Sequence, residues 1–308
     1  MKLYPMLLSP ALKPVIWGGN EIFNEFGKGT KDKIIGESWE LSVRDDLKSV
    51  IMNGEYKGKT VTELFKEDKF SFIGKKEGEF PWLIKFIDAK DRLSVQVHPD
   101  DIYAKSHGDG SGKTEMWHIL KAEPGASLVI GFNKDTTPGE IKKTAQNGEI
   151  EKMLNLVPVK KGDTFFIKSG TVHAIGKGIL LLEIQQNSDA TYRLYDFMRR
   201  DKDGNLRELH IDKGADVSKT KKTSPNADKT VILSNGDELL AECEYFRVLK
   251  VSDSERTLNG LSSVICLDGE IELDGITMKK GDTVLIPYSV RDVSVKVRGS
   301  GVIVSDRV

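Results

Sequence analysis

A row of polar side chains lies on one face of a predicted strand at residues 93–98. Apolar residues at positions 93, 95 and 97 alternate with Ser94, Gln96 and His98. Alternation with a period of two predicts a half-buried β-strand, in which every second side chain points to the same face. A hydroxyl, an amide and an imidazole in one row predict either a solvated face or the wall of a polar pocket. We favour the pocket, because further residues that can bind a metal follow at strand spacings.

Four residues from three segments could bind one cation: Gln96, His98, Glu115 and His173. An amide oxygen, two imidazoles and a carboxylate suit Zn²⁺, and also Fe²⁺, Mn²⁺ or Co²⁺. Because only Glu115 is anionic, a divalent ion would keep a net charge near +1 and act as a Lewis acid. Gln96 is the weakest of the four ligands, since amides bind metals poorly, and it could instead orient another ligand. A single histidine on a strand is more often structural, which is our interpretation of the other three: His107, His118 and His210.

The composition limits the classes of function and the compartment. The chain has 308 residues, a formal net charge of −1 and 30% charged residues, so no global positive field indicates binding to nucleic acid or to a membrane. No apolar stretch reaches the length of a membrane span, and the first ten residues are too short for a secretory signal. We therefore expect a cytoplasmic protein. We also expect a monomer or a weak homo-oligomer, although the composition does not determine this.

Short apolar runs separated by 29 glycines and 10 prolines predict many short strands joined by tight turns. Capping-box patterns predict helices that begin after Thr60 and Thr137, the second opening a helical insertion over about residues 137–156. Residues 199–205 are predicted to form a hairpin turn, and the polar segment 218–229 an interdomain linker. These signals divide the chain into domains at 1–225 and 226–308.

One octapeptide occurs twice, at residues 160–167 and 279–286, with six of eight positions identical. It is either a common turn used twice or the mark of a duplicated β-barrel unit, and the strand-rich sequence around both copies favours duplication. The copies then diverge, because Asp292 stands in the second copy where His173 stands in the first. If His173 binds a metal, the second barrel has lost that ligand and is predicted to be structural.

The pattern Gly-x5-Lys-x-Gly-x2-His at residues 162–173 resembles the second cupin motif, with Lys168 where that family usually has proline. Gln96-x-His98, the run 113–115 and His173 together resemble the zinc site of the type I mannose-6-phosphate isomerases. The order and spacing match over about residues 10–200. The resemblance implies a mainly β fold of two cupin-type jelly-roll barrels, a bicupin, with short helical insertions. It also implies one divalent ion per chain, with Zn²⁺ the expected metal.

The resemblance further implies an isomerase of mannose metabolism that interconverts mannose 6-phosphate and fructose 6-phosphate through a cis-enediol. Ser94, Lys85 and Lys113 would line the substrate pocket, where a phosphate needs cationic and hydroxyl donors. Arg193 would be the catalytic arginine that stabilises the enediolate, and Glu183 would lie beside it. Glu183, Lys113 and a metal-bound water are all candidates for the base, and carboxylate chemistry favours Glu183. Trp17 and Glu40, in segments that also resemble family motifs, are assigned structural roles.

Other interpretations remain for some of these residues. Either lysine could be a surface lysine whose stem is buried, and Glu183 and Arg193 could form a plain internal salt bridge. A non-catalytic sugar-binding cupin would not need to keep a set of proton-transfer groups. An Fe²⁺-dependent cupin dioxygenase would need an oxygen-accessible iron site in an apolar pocket, whereas this pocket would carry two lysines and an arginine.

Overall fold

The structure, a computed structural model, describes residues 1–200 and 203–306, and its strands form three antiparallel sheets. Asp201 and Lys202, inside the predicted hairpin turn, lie outside the described residues. The strands in chain order are β1 Met6–Ser9, β2 Ala11–Lys13, β3 Glu37–Leu41, β4 Val50–Ile51, β5 Trp82–Ala89, β6 Val95–Val97, β7 Glu115–Ala122, β8 Ser127–Phe132, β9 Leu154–Pro158, β10 Thr164–Ile167, β11 His173–Ile175, β12 Ile179–Gln186, β13 Tyr192–Tyr195, β14 Val231–Ile232, β15 Glu238–Glu242, β16 Arg247–Ser252, β17 Glu255–Leu258, β18 Ser262–Leu273, β19 Ile276–Lys279, β20 Thr283–Ile286 and β21 Val293–Ser305. The helices are α1 Glu21–Phe26, α2 Val61–Glu67, α3 Lys69–Ile73, α4 Asp101–Ser106, α5 Pro138–Gln146 and α6 Ile211–Val217, with a 3-10 helix at Ile150–Met153.

Two sheets carry the predicted site. The first sheet has six strands in the order β10-β7-β12-β5-β3-β2, and the second has five in the order β13-β6-β11-β8-β9. Their inner faces share one apolar cluster, in which Ile87 and Trp117 of the first sheet join Leu128 and Ile175 of the second. Burial of this shared face holds the sheets together and fixes which side chains point inward.

The third sheet has ten strands, most of them from the C-terminal part of the chain. Strands β1 and β4 also belong to it, because Met6 pairs with Leu285 and Leu8 pairs with Ile51. The predicted division at residue 225 is therefore not a division between sheets, and as a domain boundary it stays a prediction. The prediction of a mainly β protein is confirmed.

Both predicted capping boxes are present. The side chains of Thr60 and Thr137 each accept a hydrogen bond from the backbone of a glutamate three residues later, and that glutamate side chain accepts one in return. The helical insertion begins as predicted at Pro138, but it ends earlier than residue 156, because β9 pairs with β8 from Leu154. Pairing with a neighbouring strand determines this end, which local sequence preference could not show.

The repeated octapeptide adopts one conformation in both copies. Gly162 and Gly281 have φ values of 92° and 89°, a left-handed region that favours glycine. Their N–H groups donate to the carbonyls of Ile119 and Cys266, each at 2.8 Å. Both copies then lead directly into a strand, β10 or β20.

The predicted linker at 218–229 is held along its length by hydrogen bonds to residues of the part of the chain that forms the first two sheets. The N–H groups of Lys219 and Thr223 donate to the carbonyls of Gly170 and Phe132, and Asp228 Oδ2 accepts from the N–H of Phe166. The segment is thus packed against the second and first sheets, and its role as an interdomain linker stays a prediction. No helix of the described residues is long and apolar enough to cross a bilayer.

Candidate functional site

Strand register in the first sheet places polar side chains in one row. Trp39 pairs with Lys85, Lys85 with Glu183, and Glu183 with Trp117, across four adjacent strands. Directly paired residues of antiparallel strands project to the same face. Glu115 lies two residues before Trp117 on the same face, so the sheet presents a continuous polar strip to the interior.

The second sheet presents a shorter row opposite this strip. Gln96 pairs with Arg193 on one side and with His173 on the other. His98 follows Gln96 by two residues and therefore faces the same way. The alternation read at residues 93–98 thus predicted correctly which side chains face the pocket, although strand β6 itself covers only Val95–Val97.

His98, Glu115 and His173 converge at the base of the site, where each is at most 1% exposed. Nε2 of His98 lies 3.5 Å from Oε2 of Glu115, and Nε2 of His173 lies 3.4 Å from Oε1. The three candidate ligand atoms all lie within 4.8 Å of one another. One ion of ordinary coordination radius, with bonds of about 2.0–2.2 Å, can reach all three after small shifts.

Hydrogen bonds fix which ring nitrogen of each histidine is available. Nδ1 of His98 lies 2.8 Å from the carbonyl of Ala190, and Nδ1 of His173 lies 2.8 Å from that of Thr171. A carbonyl only accepts, so each Nδ1 carries the proton and each Nε2 presents its lone pair towards Glu115. In metal sites, a hydrogen bond from the ring nitrogen that does not bind the metal normally orients the imidazole, and here the Nδ1–carbonyl contacts have that place.

The inner atoms of this triad lack hydrogen-bond partners among the described residues. Nε2 of His98 and both carboxylate oxygens of Glu115 are buried without a hydrogen bond. Burial lowers the pKa of His98 to about 3, so the imidazole is neutral, as a ligand must be. Oε2 of Glu115 has an ion-pair partner in Lys113, but Oε1 of Glu115 and Nε2 of His98 have none in the described part of the chain, and buried polar atoms left in this way next to one another fit a bound cation.

Gln96 lies at the edge of the triad, with its amide nitrogen 3.3 Å from Nε2 of His173 and its oxygen 3.4 Å from the hydroxyl of Ser94. The two ends of an amide group are assigned from their hydrogen bonds rather than seen directly. Rotating the group by 180° would direct its oxygen to the same point as the triad. From this position Gln96 can either bind the ion directly or orient His173, which are the two roles predicted for it.

Lys113 joins the triad to the cavity above it. Its Nζ lies 3.0 Å from Oε2 of Glu115. Burial alone would lower the pKa of Lys113, but the carboxylate of Glu115 raises it above its ordinary value, so this lysine is charged. Burial would raise the pKa of Glu115, but Lys113 and the two imidazoles bring that pKa well below its ordinary value.

Lys85 lies between two buried carboxylates, 3.3 Å from Oε1 of Glu183 and 3.7 Å from Oε2 of Glu37. Trp117 Nε1 donates to Glu183 at 2.9 Å, and Trp39 Nε1 donates to Glu37 at 2.7 Å. Burial and the nearby Glu115 raise the pKa of Glu183. Glu183 thus pairs with Lys85 rather than with Arg193, so the alternative interpretation of a plain internal Glu183–Arg193 salt bridge is wrong.

A cavity of about 330 Å³ lies above the triad. Six of the predicted site residues line it: Lys85, Ser94, Gln96, Lys113, Glu183 and Arg193. Arg193 Nη1 donates to the carbonyl of Glu208 at 2.8 Å, while its Nε has no partner among the described residues. The structure thus brings every predicted metal-binding, substrate-binding and catalytic residue to the cavity or to the triad beneath it.

Sequence reasoning missed several residues of this wall and assigned others a structural role. Not predicted were Lys13, Glu37, Asp189, Thr191 and Arg207, and Trp17 was predicted to be structural only. Glu37 is the clearest omission, because it alternates with Trp39 and so faces the cavity. Glu40 points the other way, to Lys28 at 2.5 Å and Ser38, as a structural residue would.

The fold and the site together define a class: a mainly antiparallel β protein with a buried His–Glu–His triad beneath a polar, lysine- and arginine-lined cavity. The family model "Phosphomannose isomerase type I, catalytic domain" matches residues 6–123. Mannose-6-phosphate isomerase ManA of Bacillus subtilis is 40% identical over 304 residues, covering 94% of this chain and 95% of the relative. The Mannose-6-phosphate isomerase of Streptococcus mutans is 38% identical and covers 93% of each.

Among solved structures, the mannose 6-phosphate isomerase from Bacillus subtilis superposes with a TM-score of 0.88 at 33% identity, over 98% of this chain and 99% of that one. The chain belongs to the type I phosphomannose isomerase family. The predicted resemblance to this family is confirmed.

Proposed function

We propose that this protein is a metal-dependent aldose–ketose isomerase that interconverts mannose 6-phosphate and fructose 6-phosphate. The observation that carries the proposal is the convergence of the triad with Lys85, Lys113, Glu183 and Arg193 on one cavity, in a chain so similar to named mannose-6-phosphate isomerases. In the aldose-to-ketose direction a proton leaves carbon 2 and is returned to carbon 1. The oxygen at carbon 1 becomes a hydroxyl and the oxygen at carbon 2 becomes a carbonyl.

His98, Glu115 and His173 would bind one divalent ion, with Gln96 as the fourth ligand. Two imidazoles and one carboxylate suit Zn²⁺, the metal we propose. When bound, the ion would orient the sugar oxygens or polarise the carbonyl.

Arg193 would stabilise the negative charge of the enediolate. Among the described residues that line the cavity, each other cation has a carboxylate partner: Lys13 and Lys85 with Glu37, Lys113 with Glu115, and Arg207 with Asp196. Arg193 has none, so its charge is available to the substrate. Ser94, Lys85 and Lys113 would contact the phosphate.

Glu183 is the base that we favour for proton transfer. It is buried beside the cavity, and its raised pKa brings it closer to the neutral range in which a carboxylate base is most effective. Lys113, the other side-chain candidate, lines the same cavity, but Glu115 raises its pKa and keeps it charged, so it is suited to donate a proton or a hydrogen bond rather than to act as the base.

We also propose two cupin-type jelly-roll barrels, a catalytic one within residues 1–225 and a structural one in residues 226–308. The matching turns at Gly162 and Gly281 support the duplication. In register, Ile286 pairs with Ser262 where Ile167 pairs with Glu115, so the second copy lacks the carboxylate as well as the histidine. A cytoplasmic, monomeric or weakly homo-oligomeric protein without nucleic-acid or membrane partners fits the near-neutral charge.

Metal analysis combined with an assay coupled to fructose 6-phosphate formation tests the proposal. We expect about one divalent ion per chain and turnover of mannose 6-phosphate that a chelator abolishes and Zn²⁺ restores. Sugar binding without turnover would instead indicate a binding protein, and oxygen consumption would indicate a dioxygenase. Full isomerase activity after thorough removal of metal would contradict the role given to the triad.

A further inference from the structure

Tyr245 reaches from the third sheet to the loop that carries Lys113. It lies in the turn between β15 and β16, and its hydroxyl donates to Oδ2 of Asp101 at 2.9 Å. Its own carbonyl accepts from Nε1 of Trp82, at the start of β5, at 2.8 Å. Both ends of this residue are therefore attached to the part of the chain that holds the candidate site.

Asp101 also binds Gly112, the residue before Lys113. Its other oxygen, Oδ1, accepts from the N–H of Gly112 at 2.8 Å and from Nε2 of Gln186 at 3.2 Å. A Cβ atom at Gly112 would lie 2.5 Å from the backbone of Asp100 and Asp101. The loop is therefore seated directly on the start of α4, with no room for a side chain.

Gln186 holds the residue after Lys113. Its Oε1 accepts from the N–H of Thr114 at 2.8 Å, and its own N–H donates to the carbonyl of Thr114 at 3.0 Å. Gly112, before Lys113, is thus held by the carboxylate of Asp101. Thr114, after it, is held by the side-chain amide of Gln186, which also binds Asp101. Lys113 itself is fixed through its N–H, which donates to the carbonyl of Pro99 at 3.0 Å.

We propose that Tyr245 is a positioning residue of the third sheet, which sets the place of Lys113 and Glu115 through Asp101 and Gln186. The third sheet contributes no residue to the triad or to the lining of the cavity above it. Through this chain of hydrogen bonds it nevertheless determines where the lysine and the carboxylate stand. The expected effect of Tyr245 on turnover rests on the proposed function. Its expected effect on the backbone of residues 112–114 does not.

The test compares Tyr245→Phe with Tyr4→Phe. Tyr4 is also half-buried and also loses hydrogen bonds in this change, to the carbonyl of Asn53 and the N–H of Tyr56, but neither it nor these two partners line the cavity. We expect kcat to fall about fivefold or more in Tyr245→Phe, within the ~100-fold that a misplacement of about 1 Å can cause. In Tyr4→Phe we expect kcat to stay within about twofold of wild type. We expect the change in Tm to be similar in the two variants.

Hydrogen exchange gives a readout that does not depend on activity. In metal-loaded protein, the amides of Gly112 and Thr114 should exchange faster in Tyr245→Phe and in Asp101→Ala than in wild type. Asp101→Asn should restore both exchange and kcat, because an asparagine keeps Oδ1 and can donate from Nδ2 to the tyrosine oxygen. Equal kcat and equal exchange in Tyr245→Phe and Tyr4→Phe would overturn the inference. A wild-type protein that does not turn over mannose 6-phosphate would overturn the proposed function instead, and the exchange comparison would still decide this one.

Discussion

Replacing Lys85 by methionine should destabilise the protein far more than the loss of one exposed lysine would. Lys85 is 4% exposed and lies 3.3 Å from Glu183 and 3.7 Å from Glu37. At an effective dielectric constant of about 20, each contact corresponds to about 4–5 kcal/mol of Coulomb attraction, which desolvation largely offsets. Removal of the lysine leaves Glu183 buried without its cation and leaves Glu37 with Lys13 alone, at 3.5 Å, which costs about 3–5 kcal/mol of unfolding free energy.

Lys66→Met is the matched control for this change. Lys66 Nζ lies only 2.7 Å from Asp45, but the two side chains are 59% and 70% exposed. Water screens such a pair, so its loss should cost about 0–1 kcal/mol. Denaturant unfolding of wild type and both variants at pH 7 measures the difference. If the unfolding free energies of Lys85→Met and Lys66→Met agreed within about 1 kcal/mol, the reasoning would be refuted. It requires that the burial of an ion pair, and not the distance between its atoms, determines the cost of breaking it.

The pH dependence of the Lys85→Met defect provides a second check. Without the lysine, the pKa of Glu183, which burial already raises, should rise further, and the lowered pKa of Glu37 should move upward past the value of about 4.3 that glutamate has in an unfolded chain. The folded state then binds protons more tightly than the unfolded state, so the variant regains stability as the pH falls below those raised values. Adding Glu37→Gln should also recover part of the loss at pH 7, because it removes one of the two carboxylates that lost Lys85 while keeping an acceptor for Trp39.

Three further predictions concern the site and its surroundings. His98→Ala should lower the metal content measured by elemental analysis from about one ion per chain towards zero, and a variant with full metal content would contradict its role as a ligand. Arg193→Ala should lose nearly all turnover in the coupled assay while its metal content stays at the wild-type level. Asp88 accepts a hydrogen bond from the N–H of Glu21, and burial raises its pKa to about 6. Because the folded pKa lies above the unfolded one, its contribution to stability falls as the pH rises from 5 to 7, by about 1–2 kcal/mol after allowance for partial solvent screening. Asp88→Asn should abolish this difference in denaturant unfolding, and an unchanged pH dependence would show that another group is responsible.

The residues of the triad could be found from the sequence because they interrupt the patterns around them. His98 alternates with valines, and Glu115 shares a strand face with Lys113 and Trp117. A polar residue in such a position needs a partner inside the protein, so its type and spacing carry information about the site. Period-two alternation also gave the inward direction of Ser94 and Gln96 correctly.

Glu37 was missed because β3 is buried on both faces. Ser38 and Glu40 define one polar face by alternation, and that face binds Lys28 and Thr283 away from the cavity. Which face of a doubly buried strand lines a pocket depends on its register with Lys85 in β5, and a single sequence does not contain that register. Asp189 and Thr191 lie outside the strands, where no period exists to read.

The pairing of β1 with β20 has a consequence for how the protein is made. Met6–Ser9 is synthesised about 270 residues before its partner Thr283–Ile286. At about 5–20 residues per second, the apolar edge of β1 waits roughly 15–55 s for the strand that covers it. Completion of the third sheet is therefore a late, long-range closure of the kind that slows folding. A nascent chain stalled before residue 283 would expose that edge to chaperones or to other unfinished copies.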